Sequence, residues 1–415
     1  MSEEARATTG EGPVPLQMIL PELASRLSAQ GSFGLIIVDA TALDAIEDEY
    51  GRQSYEEVRD RVFEVLREYR GRHYRSGDVW TLEDPRRLRL VLILERKRRR
   101  SQPMSMTDFR AIRNRLAATM VPQIMRASFP YLKSAPRVLV GHGLVIHNPI
   151  VHTARLLERI MRQALELGDH MHSADELHTR ARLQDLIVHE RIVTLYQPIL
   201  LLKNRSILGL EALSRGAPGS GFEGADELFN AAARHDLSVE LDRLCRRQAL
   251  LSARRIPASA RVFINALPAA IRDPEFRGKA LIDFLDRAQV APERIVIEIT
   301  EKLVIENYAL FHEALAYFTS LGMSFAVDDV GVGYSGLELI ARLKPHFLKI
   351  DMGLVRGVHE SEVNQAMVRA IMEMGRVIPA TVIAEGIASA DEARALEAMG
   401  VDFGQGFHLA RPDIV

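Results

Sequence analysis

The chain has 415 residues, 47% hydrophobic and 26% charged, with a formal net charge of −2. That length supports two or three domains with separate cores, and near-neutrality argues against bulk affinity for nucleic acid, so no DNA partner is expected. The single cysteine, Cys245, excludes an internal disulfide and a cysteine-rich zinc framework; on a helical pattern between Leu244 and Arg246 it reads as a small buried hydrophobe.

The N-terminal stretch MSEEARATTGEGPVP is acidic, small and polar, unlike a signal peptide or a transit helix. Residues 1–29 read as a disordered extension. No apolar run approaches the roughly 18–20 residues of a membrane span, so a cytoplasmic protein is expected. Phe33–Ala40, FGLIIVDA, reads as a strand that ends at Asp39. Ala42–Arg70 carries one long helical pattern with Ile46, Tyr50, Val58, Val62, Phe63 and Leu66 on its apolar face. Asp78–Leu94 reads as a hairpin turning at Glu83–Arg87. The basic run that follows, Glu95–Ser101 (ERKRRRS), has no interleaved aromatics and adjoins the linker-like SQPMS. It reads as a solvated loop rather than a nucleic-acid or lipid patch. Thr107–Met125 is expected as a helix, Arg137–Ile146 as a strand and Val151–Leu167 as a helix.

This α+β layout over residues 30–170 resembles a GGDEF domain, the family of diguanylate cyclases. Asp39, Asp48, Tyr50 and Gly51 match the family pattern, whereas Thr41 stands for its second metal aspartate and Glu47 for its substrate asparagine. The hairpin reads Glu83-Asp84-Pro85-Arg86-Arg87, without the two glycines that let backbone approach a guanine nucleotide. The resemblance therefore implies a degenerate domain without cyclase activity, serving as a regulatory or dimerising module.

Residues 171–190 are expected to join the halves as a linker helix, capped by Ser173 and with Leu177, Leu183, Leu186 and Ile187 on one face. His170, His172, His178 and His189 lie along it with no metal-binding i, i+4 pair. Beyond it, apolar runs ending in polar groups recur. Ile207–Leu213 carries Glu211, Val262–Leu267 carries Asn265, and Ile295–Glu301 carries Glu298 and Glu301. Ser324–Gly336 carries Asp328 and Asp329, Phe347–Asp351 carries Lys349 and Asp351, Thr381–Gly386 carries Glu385, and Phe403–Phe407 carries Gln405. Seven or eight strand–helix units in about 230 residues fit a closed barrel, with working residues at the carboxyl ends of its strands. So much acid on one face is costly unless divalent cations neutralise it.

In order, Tyr196-Gln197-Pro198-Ile199, Glu211-Ala212-Leu213, Asn265, Glu298-Ile299-Thr300-Glu301, Asp328-Asp329, Leu348-Lys349-Ile350-Asp351, Ala384-Glu385-Gly386 and Gln405-Gly406 closely resemble the EAL family of cyclic di-GMP phosphodiesterases. The likeness runs from about residue 186 to 415. It implies a modified (β/α)8, TIM-like barrel and two divalent metal ions, Mg or Mn. Glu211, Asn265, Glu298 and Asp328 would hold one metal, and Asp328 with Asp329 the second. Lys349 would hold the nucleophilic water, Glu385 would complete the site and serve as base, and Glu301 would anchor the loop after the aspartate pair. Gln197, Leu213, Arg215, Asp351 and Gln405 would bind the nucleotide. The resemblance also implies a homodimer through this domain. The chain departs from the family in three places: in the loop Val330 and Val332 replace a phenylalanine and a threonine, Ala388 replaces a glutamate, and Gly216 a tryptophan. The loop changes at Val330 and Val332 are expected to loosen the second metal site. They also motivate a competing reading, a receptor that holds cyclic di-GMP and signals to a protein partner. A third is a scaffold with neither activity, which the carboxylate set disfavours.

Overall fold

The computed structural model describes residues 13–414 apart from 71, 73, 76, 95–104, 133–135, 268–269, 271, 301–307, 332–339 and 341. It separates into two units, Met1–His178 and Thr179–Val415.

In the first unit, strands β1 (Val14–Pro15), β2 (Ser32–Asp39), β3 (Val79–Leu82), β4 (Arg89–Leu94) and β5 (Leu139–Ile146) form one sheet in the order β1-β3-β4-β2-β5. β1 is parallel to β3 and the other pairs are antiparallel. The helices are α1 (Leu16–Gln30), α2 (Ala45–Tyr50), α3 (Arg52–Tyr69), α4 (Met106–Ala127) and the part of α5 (Thr153–Val188) that precedes Thr179. β2 is buried on both faces, which is why its sequence is a continuous apolar run rather than an alternating one. Ile36 and Val38 pack among Val58, Val62, Leu116 and Met120. Leu35 and Ile37 pack among Leu23, Leu27, Leu156 and Met161.

Three sequence expectations change here. The extension is not disordered throughout: α1 buries Leu16, Leu23 and Leu27 along one face and ends at Gly31, whose φ of 74° suits a glycine C-cap. Residues 1–12 lie outside the described residues. The single helix over Ala42–Arg70 is interrupted at Gly51, with φ 84°, between α2 and α3; Tyr50 is exposed there rather than in the core. The stretch expected as a separate linker helix continues α5, which runs unbroken from Thr153 to Val188. The basic run at Glu95–Ser101 lies outside the described residues.

In the second unit eight strands close a barrel: β6 (Ile192–Leu201), β7 (Ile207–Gly216), β8 (Arg261–Asn265), β9 (Ile295–Thr300), β10 (Ser324–Val330), β11 (Phe347–Ile350), β12 (Thr381–Ala384) and β13 (Phe403–Gly404). β6 is antiparallel to both β13 and β7, and every other neighbouring pair is parallel. The intervening helices include α6 (Ala225–Arg234), α7 (Ser238–Ser252) and α8 (Gly278–Ala288).

One layer of the barrel interior is filled by Ile199, Phe263, Val296, Ala326, Phe347 and Ile383, with Phe403 packed against it. Gly209 lies beside this layer, where an added Cβ would come within 2.8 Å of the Phe263 ring. Side chains on a strand return to the same face every second residue. Two residues beyond Gly209, Phe263, Val296, Ala326, Phe347, Ile383 and Phe403 stand Glu211, Asn265, Glu298, Asp328, Lys349, Glu385 and Gln405. On the reversed strand β6 the same step runs backwards, from Ile199 to Gln197, which lies opposite Glu211 in register. An apolar layer thus forms the floor of a polar one.

Candidate active site

Lys349 stands at the centre of the polar layer, fully buried. Its ammonium lies 2.6 Å from Glu385 Oε1, 2.8 Å from Glu298 Oε1, 3.3 Å from Glu211 Oε2 and 3.4 Å from Asp328 Oδ1. Amides tie the ring together. Gln405 Nε2 donates to Glu211 Oε2 at 2.6 Å and to Glu385 Oε1 at 2.9 Å. Asn265 Nδ2 donates to Glu211 Oε1 and Glu298 Oε2, each at 3.3 Å. The resemblance places Gln405 against a nucleotide; here its amide nitrogen donates to the carboxylates, while its buried Oε1 has no hydrogen-bond donor among the described residues.

Asp328 and Asp329 project from the end of β10. Asp329 N donates to Asp328 Oδ1 at 3.0 Å, and Asp329 has φ 57°, a left-handed conformation unusual outside glycine and typical of functional sites. Burial, reinforced by Asp328 and Asp351, pushes its carboxyl up to about 6. Burial pushes Glu298, Glu385 and Asp328 up as well, against the pull of Lys349. Burial would also raise Glu211, but Lys349 and the Gln405 hydrogen bond outweigh it and hold Glu211 below the usual carboxylate range. The Lys349 ammonium is penalised by burial, yet its four carboxylate neighbours raise it well above the ordinary lysine value.

The donor set fits hard divalent cations. Carboxylate oxygens of Glu211, Glu298 and Asp328 converge within 4.8 Å of one another, and so do those of Asp328, Asp329 and Glu385. Were all five carboxylates ionised beside the one ammonium, they would carry a surplus of four negative charges, which two divalent cations would balance. The second grouping includes Glu385, for which the resemblance implies the role of base rather than metal ligand.

The remaining site candidates lie around this ring. Gln197 is buried and donates to Ala410 O at 3.1 Å. Leu213 and Arg215 are half-buried farther along β7, where Arg215 Nη1 donates to Ser214 O at 2.8 Å. The Asp351 carboxylate caps the short helix Met352–Val355 by accepting from Gly353 N at 2.7 Å. Glu301 and residues 332–339 of the expected loop lie outside the described residues.

Two of the three departures acquire physical reasons. Val330 is not a loop residue: it closes β10, is fully buried, and its carbonyl accepts from Asp351 N at 3.2 Å. Gly216 is needed because backbone folds onto it, its N–H donating to Phe222 O at 2.9 Å, and a Cβ would meet that oxygen at 2.5 Å. Beside Ala388, Glu392 takes up a capping role, accepting from Ala388 N, Ser389 N and Gly357 N. Cys245 is buried with its thiol pushed up to about 12, an inert group as expected.

A closed barrel of seven parallel strands and one reversed, with acid gathered where the parallel strands end, defines an EAL-type fold. The sequence profile described as the EAL domain matches residues 180–412, and the chain belongs to that family. It is 31% identical over 236 residues to the cyclic di-GMP phosphodiesterase PdeR of Escherichia coli K12, covering 55% of this chain and 35% of PdeR. It is 32% identical over 150 residues to the blue light- and temperature-regulated antirepressor BluF of the same organism, covering 36% of this chain and 37% of BluF. The solved MucR phosphodiesterase of Pseudomonas aeruginosa, in complex with c-di-GMP, superposes with a TM-score of 0.51 at 25% identity, covering 58% of this chain and 97% of that one. The chain spans 28% to 46% of the length of four other curated relatives. Among the described residues no helix is long and apolar enough to cross a membrane.

Proposed function

We propose that the barrel hydrolyses one phosphodiester bond of cyclic di-GMP, giving the linear dinucleotide. The observation that carries this reading is the ring of four carboxylates around Lys349, with Asp329 beside it, above an apolar floor. Glu211, Asn265, Glu298 and Asp328 would hold one Mg or Mn ion, and Asp328, Asp329 and Glu385 the second. Two such ions, when bound, would supply Lewis-acid activation of the phosphodiester and of the attacking water. Lys349 keeps its proton because four carboxylates surround it, so it can orient a nucleophile and offset charge without acting as a base. Glu385, which completes the ring beside Lys349, is read as the base that takes a proton from that nucleophile. Arg215, half-buried past Glu211 on β7, offers a guanidinium for a substrate phosphate.

The first unit is read as a degenerate GGDEF-like module that regulates or dimerises a cytoplasmic enzyme and makes no cyclic dinucleotide. Supporting this, Asp39 is committed to protein contacts: Arg89 lies 3.0 Å from its Oδ2, and Thr41 donates to its Oδ1 from both backbone and hydroxyl. Arg89 also reaches Glu83 at 2.7 Å, so the hairpin closes on itself. A homodimer through the barrel is part of the same reading. The likeness to BluF, named an antirepressor, favours a second reading in which the barrel holds the nucleotide and signals to a protein partner.

Incubation of the full chain with cyclic di-GMP and Mg²⁺ or Mn²⁺, with products resolved by chromatography, decides between them. The linear dinucleotide is the expected product. Tight binding of cyclic di-GMP with no product would transfer the assignment to the receptor reading, and no binding would remove both.

A further inference from the structure

Asn265 is the most weakly held member of the polar ring. Its residue is exposed, and its two side-chain hydrogen bonds are both long, at 3.3 Å. Its position must therefore come from its backbone, the end of β8 paired with β9 and the turn just beyond. Two bonds fix that backbone: Ala266 N donates to Glu298 O at 3.1 Å, and Leu267 N donates to Asp242 Oδ1 at 3.0 Å.

Asp242 belongs to α7, outside the ring, and is held within a buried ionic relay. Its other oxygen, Oδ2, accepts from Arg246 Nε at 2.8 Å. Arg246 Nη2 continues to Asp273 Oδ2 at 3.1 Å, and its guanidinium stacks 4.3 Å from the centre of the Phe276 ring. Asp273 accepts from Glu275 N at 3.0 Å and is forked by Arg243 at 2.7 and 3.0 Å. Asp242, Asp273 and Arg246 are 8%, 6% and 3% exposed, so their geometry is enforced by the cost of leaving any of them unpaired.

We propose that Asp242 is a positioning residue: bridging Arg246 to the Leu267 N–H, it fixes the backbone that presents Asn265 to the metal. This rests on the metal reading of the site. Only a carboxylate can do both jobs, because both its oxygens are acceptors. An asparagine has one acceptor and turns an NH₂ donor towards either Arg246 or Leu267 N–H. Residues that orient ligands are commonly worth 10- to 100-fold in metal affinity.

The test is calorimetric titration of Mn²⁺ into the chelator-treated full chain, below the unfolding temperature, in a cycle of wild type, Asp242→Asn, Asn265→Ala and the double variant. Asp242→Asn should weaken the site by about tenfold, and that loss should disappear in the Asn265→Ala background, because the effect passes through Asn265. An unchanged affinity, or a loss of the same size without Asn265, would mean that the relay only holds α7 against β8, and the proposal falls. If Asp242→Asn does not fold, Arg246→Lys goes through the same cycle with the same expectation, since an ammonium keeps the charge but cannot span both aspartates in one plane. Wild-type protein that binds no Mn²⁺ would overturn the metal reading itself and this proposal with it, an outcome distinct from wild-type binding that Asp242→Asn leaves intact.

Discussion

Replacing Lys349 by methionine is the most incisive perturbation of the ring. The side chain is fully buried and its ammonium lies within 3.4 Å of four carboxylates. Methionine keeps all but the terminal atom of the side chain's length and removes the charge, leaving those carboxylates with no cation among them. Breaking a buried ionic cluster by removing one partner costs about 3–5 kcal/mol. For a unit of this size each kcal/mol lowers Tm by about 2–4 °C, so chelator-treated Lys349→Met should melt roughly 6–20 °C below wild type. Divalent cations supply the missing positive charge, so saturating Mn²⁺ should raise the Tm of Lys349→Met by more than that of wild type, while turnover of cyclic di-GMP stays lost. Differential scanning calorimetry with and without Mn²⁺ reads the first two effects. Equal melting temperatures in chelator would refute the reasoning, because Lys349 would then not be what keeps the acids tolerable.

Three further outcomes follow from the same geometry. Glu211→Gln should abolish hydrolysis without unfolding the barrel, and the full chain carrying it should form no cyclic dinucleotide from GTP and Mg²⁺; product detected by chromatography would restore a cyclase role to the first unit. Asp329 has a folded value of about 6 against an ordinary 3.8, so between those values the folded state binds more protons than the unfolded one. Chelator-treated protein should therefore gain stability as pH falls through about 6, Asp329→Asn should lose that part of the gain, and wild-type Mn²⁺ affinity should drop over the same range as protons compete for the carboxylate. Val330→Phe adds a ring where the side chain is fully enclosed and should cost about 1–3 kcal/mol; a faster reaction at low metal with unchanged Tm would show instead that the end of β10 has room.

The sequence alone determined the barrel and most of its ring. Each parallel strand announces itself as an apolar run closed by an acid, an amide or a lysine, and the period of two puts that residue on the inward face whenever the residue two positions before it is inward. Glu211, Asn265, Glu298, Asp328, Lys349, Glu385 and Gln405 were legible for that reason. The strand FGLIIVDA was legible too, because a strand covered on both faces needs no alternation. Other features were decided by contacts between residues far apart in the chain. The reversed direction of β6 puts Gln197 opposite Glu211, and no local pattern records strand direction. Gln405 reaches Glu211 across 194 positions, so the hydrogen bonds of its amide nitrogen to the carboxylates appear only once the barrel closes. The burial of Val330 depends on Ile350 and Leu348 of the neighbouring strand, whereas its sequence context, among glycines, suggests a loop. The relay from Asp273 through Arg246 and Asp242 to Leu267 N–H joins a helix to the end of a strand. Sequence shows these as ordinary charged residues, because pairing energy comes from desolvation in a shared interior, and only the folded chain supplies that interior.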